Sequence, residues 1–368
     1  MNSTLHKDAH FFWKNKMYDH EGWIHLVHSH PEQFVAPWEK QVRQFVLDWL
    51  REDEFVNVHT SGSTGPPKYM QLSKEVMRRS ALMTDAYFGL GAGAVTLLCL
   101  PVEFIAGKMM IVRTFVNGWT LHFQRPTGMP LLDRLFDFVP VTPMQAANLL
   151  AGSRDLGKVK TLLLGGGGIP RNLEAALRTR YTNRAYHSYG MTETATHVAI
   201  RAINEKQDNQ VFVALPDISF STSTDGCLIV HAPGLGQPNL QTNDIVRLLD
   251  QKHFIWEGRK DNVINSGGIK LYPEQMEKKM AMYINSPFFV AGMPDSTLGQ
   301  RAILVIEGRE GEVDEPRLLG RLNKVLSKYE MVKSIHYLSH FPRTSSGKII
   351  RGQANDMLKS TLDDPTYK

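Results

Sequence analysis

Apolar residues along this chain fall into two alternating rhythms. Between residues 37 and 53, Trp38, Val42, Phe45, Trp49 and Leu50 recur at helical spacing, which predicts an amphipathic helix. A short strand over 55–58 follows. Ser73 reads as an N-cap with Glu75 in the first turn, so a helix runs to about Leu90, where Gly89, Gly91 and Gly93 stop it. Residues 94–100 are apolar without interruption, the pattern of a strand covered on both faces. A helix over 107–116, a strand over 120–123, segments at 131–138, 139–142 and 144–150, a buried strand over 161–164, a helix over 171–180 and a strand over 184–188 continue the alternation. Helices alternating with apolar strands predict an α/β fold with a mainly parallel sheet.

The rhythm changes near residue 211. Short segments at 211–215, 218–220, 227–230, 245–249 and 253–256, separated by turn residues, predict an antiparallel β subdomain over about 205–257, with a small barrel as one form of it. After Asp261 the pattern is mixed: helices over 273–282 and 315–327 alternate with strands at 288–291, 302–307 and 334–338. The predicted division is an N-terminal domain over 1–260 and an α+β C-terminal domain over 261–368, joined at Asp261. Residues 1–36 show no clear period. His20, His25, His28 and His30 lie there without paired metal-ligand spacing and read as surface or substrate-side residues.

Composition narrows the function classes. Hydrophobic residues make up 42% of the 368, enough for a sizeable core and too many for disorder. The formal charge of +5 is spread thinly, which suits small anionic substrates, and no dense Lys/Arg run argues for nucleic acid. Cys99 and Cys227 alone exclude a disulfide framework; both sit in apolar runs and read as core residues in a reducing compartment. The run over 94–102 is too short to cross a bilayer, and residues 1–30 carry no secretory pattern. The expectation is a cytoplasmic protein without membrane insertion.

The most chemically loaded stretch is Thr60-Ser61-Gly62-Ser63-Thr64-Gly65-Pro66-Pro67-Lys68. Glycines let backbone N–H groups turn toward an anion, hydroxyls add donors and lysine adds charge, so the stretch can cradle phosphate. It lacks the Gly-Lys-Ser/Thr ending of the P-loop. A polar loop between strand and helix is the plainer alternative. Four further stretches follow in order: Gly165-Gly166-Gly167-Gly168-Ile169-Pro170; Tyr189-Gly190-Met191-Thr192-Glu193-Thr194; Asn243-Asp244 with Gly258-Arg259-Lys260-Asp261; and Pro342-Arg343-Thr344-Ser345-Ser346-Gly347-Lys348. Together the five motifs resemble those of the adenylate-forming enzymes: acyl-CoA synthetases, adenylation domains and luciferases.

The resemblance implies a two-step reaction. A carboxylate attacks the α-phosphate of ATP to give acyl-AMP and pyrophosphate, and a thiol, usually coenzyme A, then displaces AMP. It implies that Thr60, Ser61, Gly62, Ser63, Thr64, Gly65 and Lys68 hold the terminal phosphates. Gly165, Gly166 and Gly167 would admit adenine and the acyl group against bare backbone, Tyr189 beside Gly190 would stack on the adenine, and Asp244 with Arg259 would hold the ribose. Glu193, beside Thr192, would hold Mg²⁺, Asp261 would be the pivot of a mobile C-terminal domain, and Gly267, Gly268 and Lys270 would flank the coenzyme A channel. Lys348 would stabilise charge building on the α-phosphate. Plainer readings stand beside several of these: a helix-terminal acid for Glu193, a turn aspartate for Asp244, a hairpin turn at Ser266-Gly267-Gly268 and an exposed lysine for Lys348.

Phe104 stands where the family often carries a histidine that walls the acyl pocket. The phosphate loop also arrives early, by residue 60. The runs from Ala106 to Arg113 and from Met191 to Thr196 are similar to the o-succinylbenzoate–CoA ligase branch of the family. That acid carries two carboxylates; Arg113 is the candidate to hold the one that does not react, with Lys108 and His197 as weaker candidates and a helix-surface arginine as the plainer alternative, and Phe104, Gly165 and Thr196 are the other residues expected on the acid's side of the site. The expected partners are the acid, ATP and coenzyme A, with a homodimer left open. Ligation of another aryl or acyl acid, loading of a carrier protein, and a nucleotide-binding regulator without catalysis are the competing readings.

Overall fold

A computed structural model describes residues 5–59, 69–152, 156–205, 210–344 and 347–363. The loop over 60–68 and the pair Ser345 and Ser346 lie outside the described residues. Strand β1 (His10–Trp13) and β2 (Lys16–Tyr18) open the chain, followed by α1 (His20–Ser29) and α2 (Pro37–Leu50). Strands β3 (Phe55–His59) and β4 (Tyr69–Ser73) pair antiparallel on either side of the 60–68 segment. Then come α3 (Lys74–Phe88), β5 (Val95–Leu98), α4 (Ile105–Asn117), β6 (Thr120–Phe123), β7 (Phe136–Val141), α5 (Pro143–Ala151), β8 (Val159–Leu164), α6 (Arg171–Arg180), β9 (Arg184–Gly190) and β10 (His197–Ala202).

Local chemistry sets several of these boundaries. Ser73 caps α3 by accepting from the Glu75 N–H at 3.2 Å, and Gly89 ends the helix at φ 63°. Thr142 and Gln145 form a reciprocal capping box on α5. Segments 131–138 and 139–142 are not separate elements: residues 131–135 lie outside any helix or strand, and β7 joins the end of the first segment to the second.

Strands β9, β8, β7, β5, β6 and β1 pair in parallel in that order and form the centre of a 13-stranded sheet. Adjacent strand residues enter opposite cores. Leu98, Phe138 and Leu163 pack on one side; Leu97, Val139, Leu162 and Leu164 pack on the other with α5 and α6. Both faces are covered at the middle of the sheet, which is why 94–100 and 161–164 read as mostly apolar runs.

Two departures concern the sheet's ends. The first 36 residues are not irregular: β1 pairs with β6, and Phe11, Trp13, Trp23 and Phe34 are buried in the main core. Aromatic mass drives this packing; Phe11 stacks on Trp23 at 5.0 Å between ring centres. At the other end no barrel closes among the described strands. Strands β11 (Val211–Ala214), β12 (Ser219–Thr222), β13 (Cys227–Ala232), β14 (Gln237–Leu248) and β15 (His253–Arg259) extend the same sheet, antiparallel, in the order β10-β11-β15-β14-β13-β12.

The remaining chain forms a second sheet of five strands: β16 (Ile264–Ser266), β17 (Ile269–Leu271), β18 (Phe288–Asp295), β19 (Gly299–Glu307) and β20 (Ile335–Leu338). It carries α7 (Pro273–Met280), α8 (Glu315–Leu322) and α9 (Arg351–Asp363) and has its own cores around Leu304 and Val305. The two sheets meet through α7. Gln275 donates to the Trp256 and Glu257 carbonyls on β15 at 3.2 and 2.9 Å, and Lys278 donates to Gln210 at 2.8 Å. Among the described residues no helix is long and apolar enough to cross a membrane.

Candidate active site

The C-terminal ends of the parallel strands form one rim, where open α/β sheets bind ligands. Strand β8 ends at Leu164 and the chain turns through the four glycines. A Cβ on Gly165 would lie 2.7 Å from Ser188 Oγ, and Gly166 has φ 80°, so side chains are disfavoured at these two positions, while Gly167 and Gly168 have open space beside them. His187 on β9 faces the same strip, with Nε2 3.1 Å from the Gly167 carbonyl. Burial, helped by the Arg201 charge, pushes its pKa down to about 3, so the ring is neutral and donates from Nε2. Sequence reasoning missed His187; its signal was a polar ring in a strand that runs directly into Tyr189.

Tyr189 and Asp244 come from distant strands and meet. Tyr189 Oη donates to Asp244 Oδ2 at 2.6 Å, while Trp256 Nε1 and Arg259 Nη1 donate to Oδ1 at 3.2 and 3.4 Å. Asp244 is a buried residue of β14, in register with Arg259 on β15, and not a turn aspartate. Trp256 is a further contributor that the motifs did not signal. Arg259 also donates through Nη2 to Asp261 at 2.9 Å, so it links the Asp244 carboxylate to the turn that begins the second sheet.

Thr192, Glu193 and Thr194 form a single 3-10 turn between β9 and β10. Three residues make too short a helix for a helix-terminal role to explain Glu193. Thr192 is buried; Glu193 is half-buried and has no hydrogen bond or ion pair with another described residue. Backbone crowding fixes this turn. A Cβ on Gly190 would strike the Thr196 carbonyl oxygen, and Ala195 sits at φ 62°.

Arg113 lies on α4 and is only 2% exposed, so it is not a helix-surface arginine. Its Nε donates to Thr84 Oγ1 at 3.2 Å, Nη2 to Thr196 Oγ1 at 3.1 Å, and Nη1 points at Met110 Sδ at 3.7 Å. No carboxylate of a described residue pairs with it. Burial lowers its pKa to about 9, which still leaves the guanidinium charged at neutral pH. His197 packs 3.3 Å from Thr84 Oγ1. Lys108 points elsewhere, donating to the Val102 carbonyl at 2.9 Å and lying over Phe45. Phe104 caps the start of α4 and meets His59 edge-on at 5.5 Å.

Lys348 approaches from the second sheet. Gly347 beside it has φ 84°, and a Cβ there would lie 3.6 Å from Met144 Sδ on α5, so the lysine loop is seated against the large sheet's side. Lys348 is an exposed residue, as its plainer reading has it. Burial and the Arg259 charge lower its pKa, and Asp244 and Glu274 partly offset them. Gly267 and Gly268, at φ 59° and 83°, form the turn of the β16–β17 hairpin, and Lys270 beyond them is exposed. Thr60, Ser61, Gly62, Ser63, Thr64, Gly65 and Lys68 lie outside the described residues, although β3 and β4 bring both ends of their segment to this rim.

The family model for AMP-binding enzymes matches residues 16–219, more than half of the chain. The chain belongs to the AMP-binding enzyme family. Among curated relatives of this family member, the 2-succinylbenzoate–CoA ligase of Bacillus cereus is 23% identical over 90% of the chain and 76% of the relative. The feruloyl-CoA synthase of an Amycolatopsis species is 26% identical over 82% and 69%. Among solved structures, an AMP-forming acyl-CoA synthetase/AMP-acid ligase II-like protein of Dyadobacter fermentans is 35% identical over 88% of the chain and 95% of its own, with a TM-score of 0.58. The o-succinylbenzoate coenzyme A synthetase of Bacillus subtilis, solved with ATP and magnesium ion, shares the fold at 21% identity and a TM-score of 0.69 over 82% and 69%.

Proposed function

We propose that this AMP-binding enzyme is an acid–CoA ligase that activates an aromatic diacid, with o-succinylbenzoate as the substrate and o-succinylbenzoyl-CoA as the product. The observation that carries the choice of acid is Arg113: a buried guanidinium held by hydroxyls and a thioether, without a carboxylate from any described residue. A buried cation left without an anion is costly, and a second substrate carboxylate would supply the missing partner.

In the first step a substrate carboxylate oxygen attacks the α-phosphorus of ATP. The bond to the bridging oxygen breaks, and pyrophosphate leaves with its electron pair. Lys348 holds the charge that gathers on the α-phosphate oxygens, Asp244 takes the ribose hydroxyls and the 60–68 loop takes the terminal phosphates. Glu193 fits a magnesium ion, since Mg²⁺ prefers one or two carboxylates plus phosphate oxygens, and the ion would neutralise triphosphate charge there. In the second step the thiol of coenzyme A attacks the acyl carbon, AMP departs with the bonding electrons, and the thiol proton is lost to solvent. Asp261 serves as the pivot between a domain over 1–260 and one over 261–368, and Gly267, Gly268 and Lys270 flank the thiol's path.

Acid-dependent ATP–pyrophosphate exchange with a panel of acids tests the proposal. Exchange is expected with o-succinylbenzoate, and thioester is expected with coenzyme A in place of a carrier protein. Exchange with ferulate and none with o-succinylbenzoate would replace the diacid by a monoacid, the alternative that the feruloyl-CoA synthase relative favours.

A further inference from the structure

Three elements converge on the Arg113 guanidinium, and one hydroxyl among them has its hydrogen-bonding capacity fully committed. Thr84 Oγ1 carries one proton and two lone pairs. It donates the proton to the Ser80 carbonyl one turn back on α3, at 2.9 Å. It therefore accepts from Arg113 Nε at 3.2 Å, and only an acceptor's role remains toward His197 Nε2 at 3.3 Å. His197 must then carry its proton on Nε2, as a neutral ring. Burial, reinforced by the Arg113 charge, also keeps it neutral by holding its pKa well below the ordinary value. The other hydroxyl, Thr196 Oγ1, accepts from Arg113 Nη2 at 3.1 Å and is itself 2.9 Å from Ser80 Oγ.

Thr84 and Ser80 are 0% and 2% exposed, so the bonds at Thr84 are closed to bulk water, while Thr196 is partly exposed. Two of the three guanidinium nitrogens are thus fixed by hydroxyls. The third, Nη1, faces only a thioether sulfur, a weak acceptor. An arginine fork recognises a carboxylate through its plane, so whatever fixes the plane sets the recognition.

We propose that Thr84 is the positioning residue for acid selection: by holding Arg113 Nε and orienting His197, it presents the guanidinium so that acids with a second carboxylate are chosen over monoacids. This rests on the assignment of Arg113 to the substrate's second carboxylate. Thr84 touches no reacting atom; its effect passes through Arg113. A valine at position 84 keeps the shape but leaves the Arg113 and His197 N–H groups without an acceptor.

The test compares Thr84→Val, Thr84→Ser and Arg113→Ala in ATP–pyrophosphate exchange. The acids are o-succinylbenzoate and 3-benzoylpropanoate, the same keto acid without the ring carboxylate. Thr84→Val is expected to raise the KM for the diacid about tenfold, the scale of one lost buried hydrogen bond. The KM for ATP, kcat, and kcat/KM for the monoacid should stay within about twofold, and Thr84→Ser should restore the diacid KM. An equal loss for both acids would mean a packing role and overturn the proposal. No change in Thr84→Val beside a raised diacid KM in Arg113→Ala would overturn it while leaving the Arg113 assignment standing. An unchanged diacid KM in Arg113→Ala would remove both. Should Thr84→Val not fold, Thr84→Cys, a poor acceptor of similar size, carries the same comparison, and a loss that does not discriminate the two acids would again overturn the proposal.

Discussion

Glu174 on α6 and Arg201 on β10 share two hydrogen bonds of 2.7 and 2.9 Å in a site where each is under 10% exposed. Arg178 adds a third at 2.9 Å from one turn along α6. Burial by itself would raise the Glu174 pKa, but the two guanidiniums outweigh it and hold it at about 2. The pair fastens α6 to β10, beside the strand that carries His187 and Tyr189. The folded carboxyl titrates below its unfolded value, so its stabilisation, about 3 kcal/mol, is complete above the ordinary carboxylate range and is lost as pH falls toward 2. Arg201→Met is expected to cost about 2–3 kcal/mol, because it removes two charged hydrogen bonds from a buried carboxylate and leaves it Arg178 and Gln210 alone. Thermal melts between pH 3 and 7 check this: the variant should melt lower at neutral pH and lose less than the wild type on acidification.

Asp244 accepts from three donors within the protein, beside which the proposed ribose hydroxyls would bind. Removing one should weaken nucleotide binding less than removing the charge. Tyr189→Phe is expected to raise the KM for ATP about threefold, and Asp244→Asn about tenfold or more, with the KM for the acid nearly unchanged. Equal KM values for ATP in all three proteins would take Asp244 out of the nucleotide site.

Lys348→Ala should stop adenylate formation and spare thioester formation from supplied acyl-adenylate, since only the first step gathers charge on the phosphate. Rapid-quench measurement of each half-reaction checks the split. Equal loss of both would argue against the assigned role.

The pH profile follows from the same lysine. Its pKa is lowered, chiefly by burial and then by the Arg259 charge. The ammonium is the active form, so the adenylation rate should fall with rising pH, below the range of an ordinary lysine. Lys348→Arg should move that limb to higher pH, and the thioester step should lack it. An alkaline limb shared by both half-reactions would count against this.

Gly190→Ala should disturb the turn that carries Thr192 and Glu193, because its Cβ would meet the Thr196 carbonyl and lie 2.5 Å from the His197 Cα. A loss of about 1–3 kcal/mol in urea melts is expected, with the acid KM raised through the shifted Thr196. Unchanged stability would show that the turn can relax.

The sequence by itself determined the local and the repetitive features of this protein. Strands buried on both faces are largely apolar, so the runs over 94–100 and 161–164 announced a parallel sheet, in which they stand as Val95–Leu98 and Val159–Leu164. Caps are short-range chemistry, so Ser73 and Gly89 marked α3 directly. The order of the five motifs was legible as well, and the chain belongs to the family they resemble. Only the tertiary structure decided what depends on two distant segments meeting. The aromatic first strand docks beside β6, the antiparallel strands extend the main sheet and close no barrel among the described residues, and Asp244 reaches Tyr189 across 55 residues of chain. Arg113 reads as one more basic residue on a helix until α3 and the β9–β10 turn close over it. A side chain's burial and its partners are set by long-range packing, which leaves no periodic trace in the sequence.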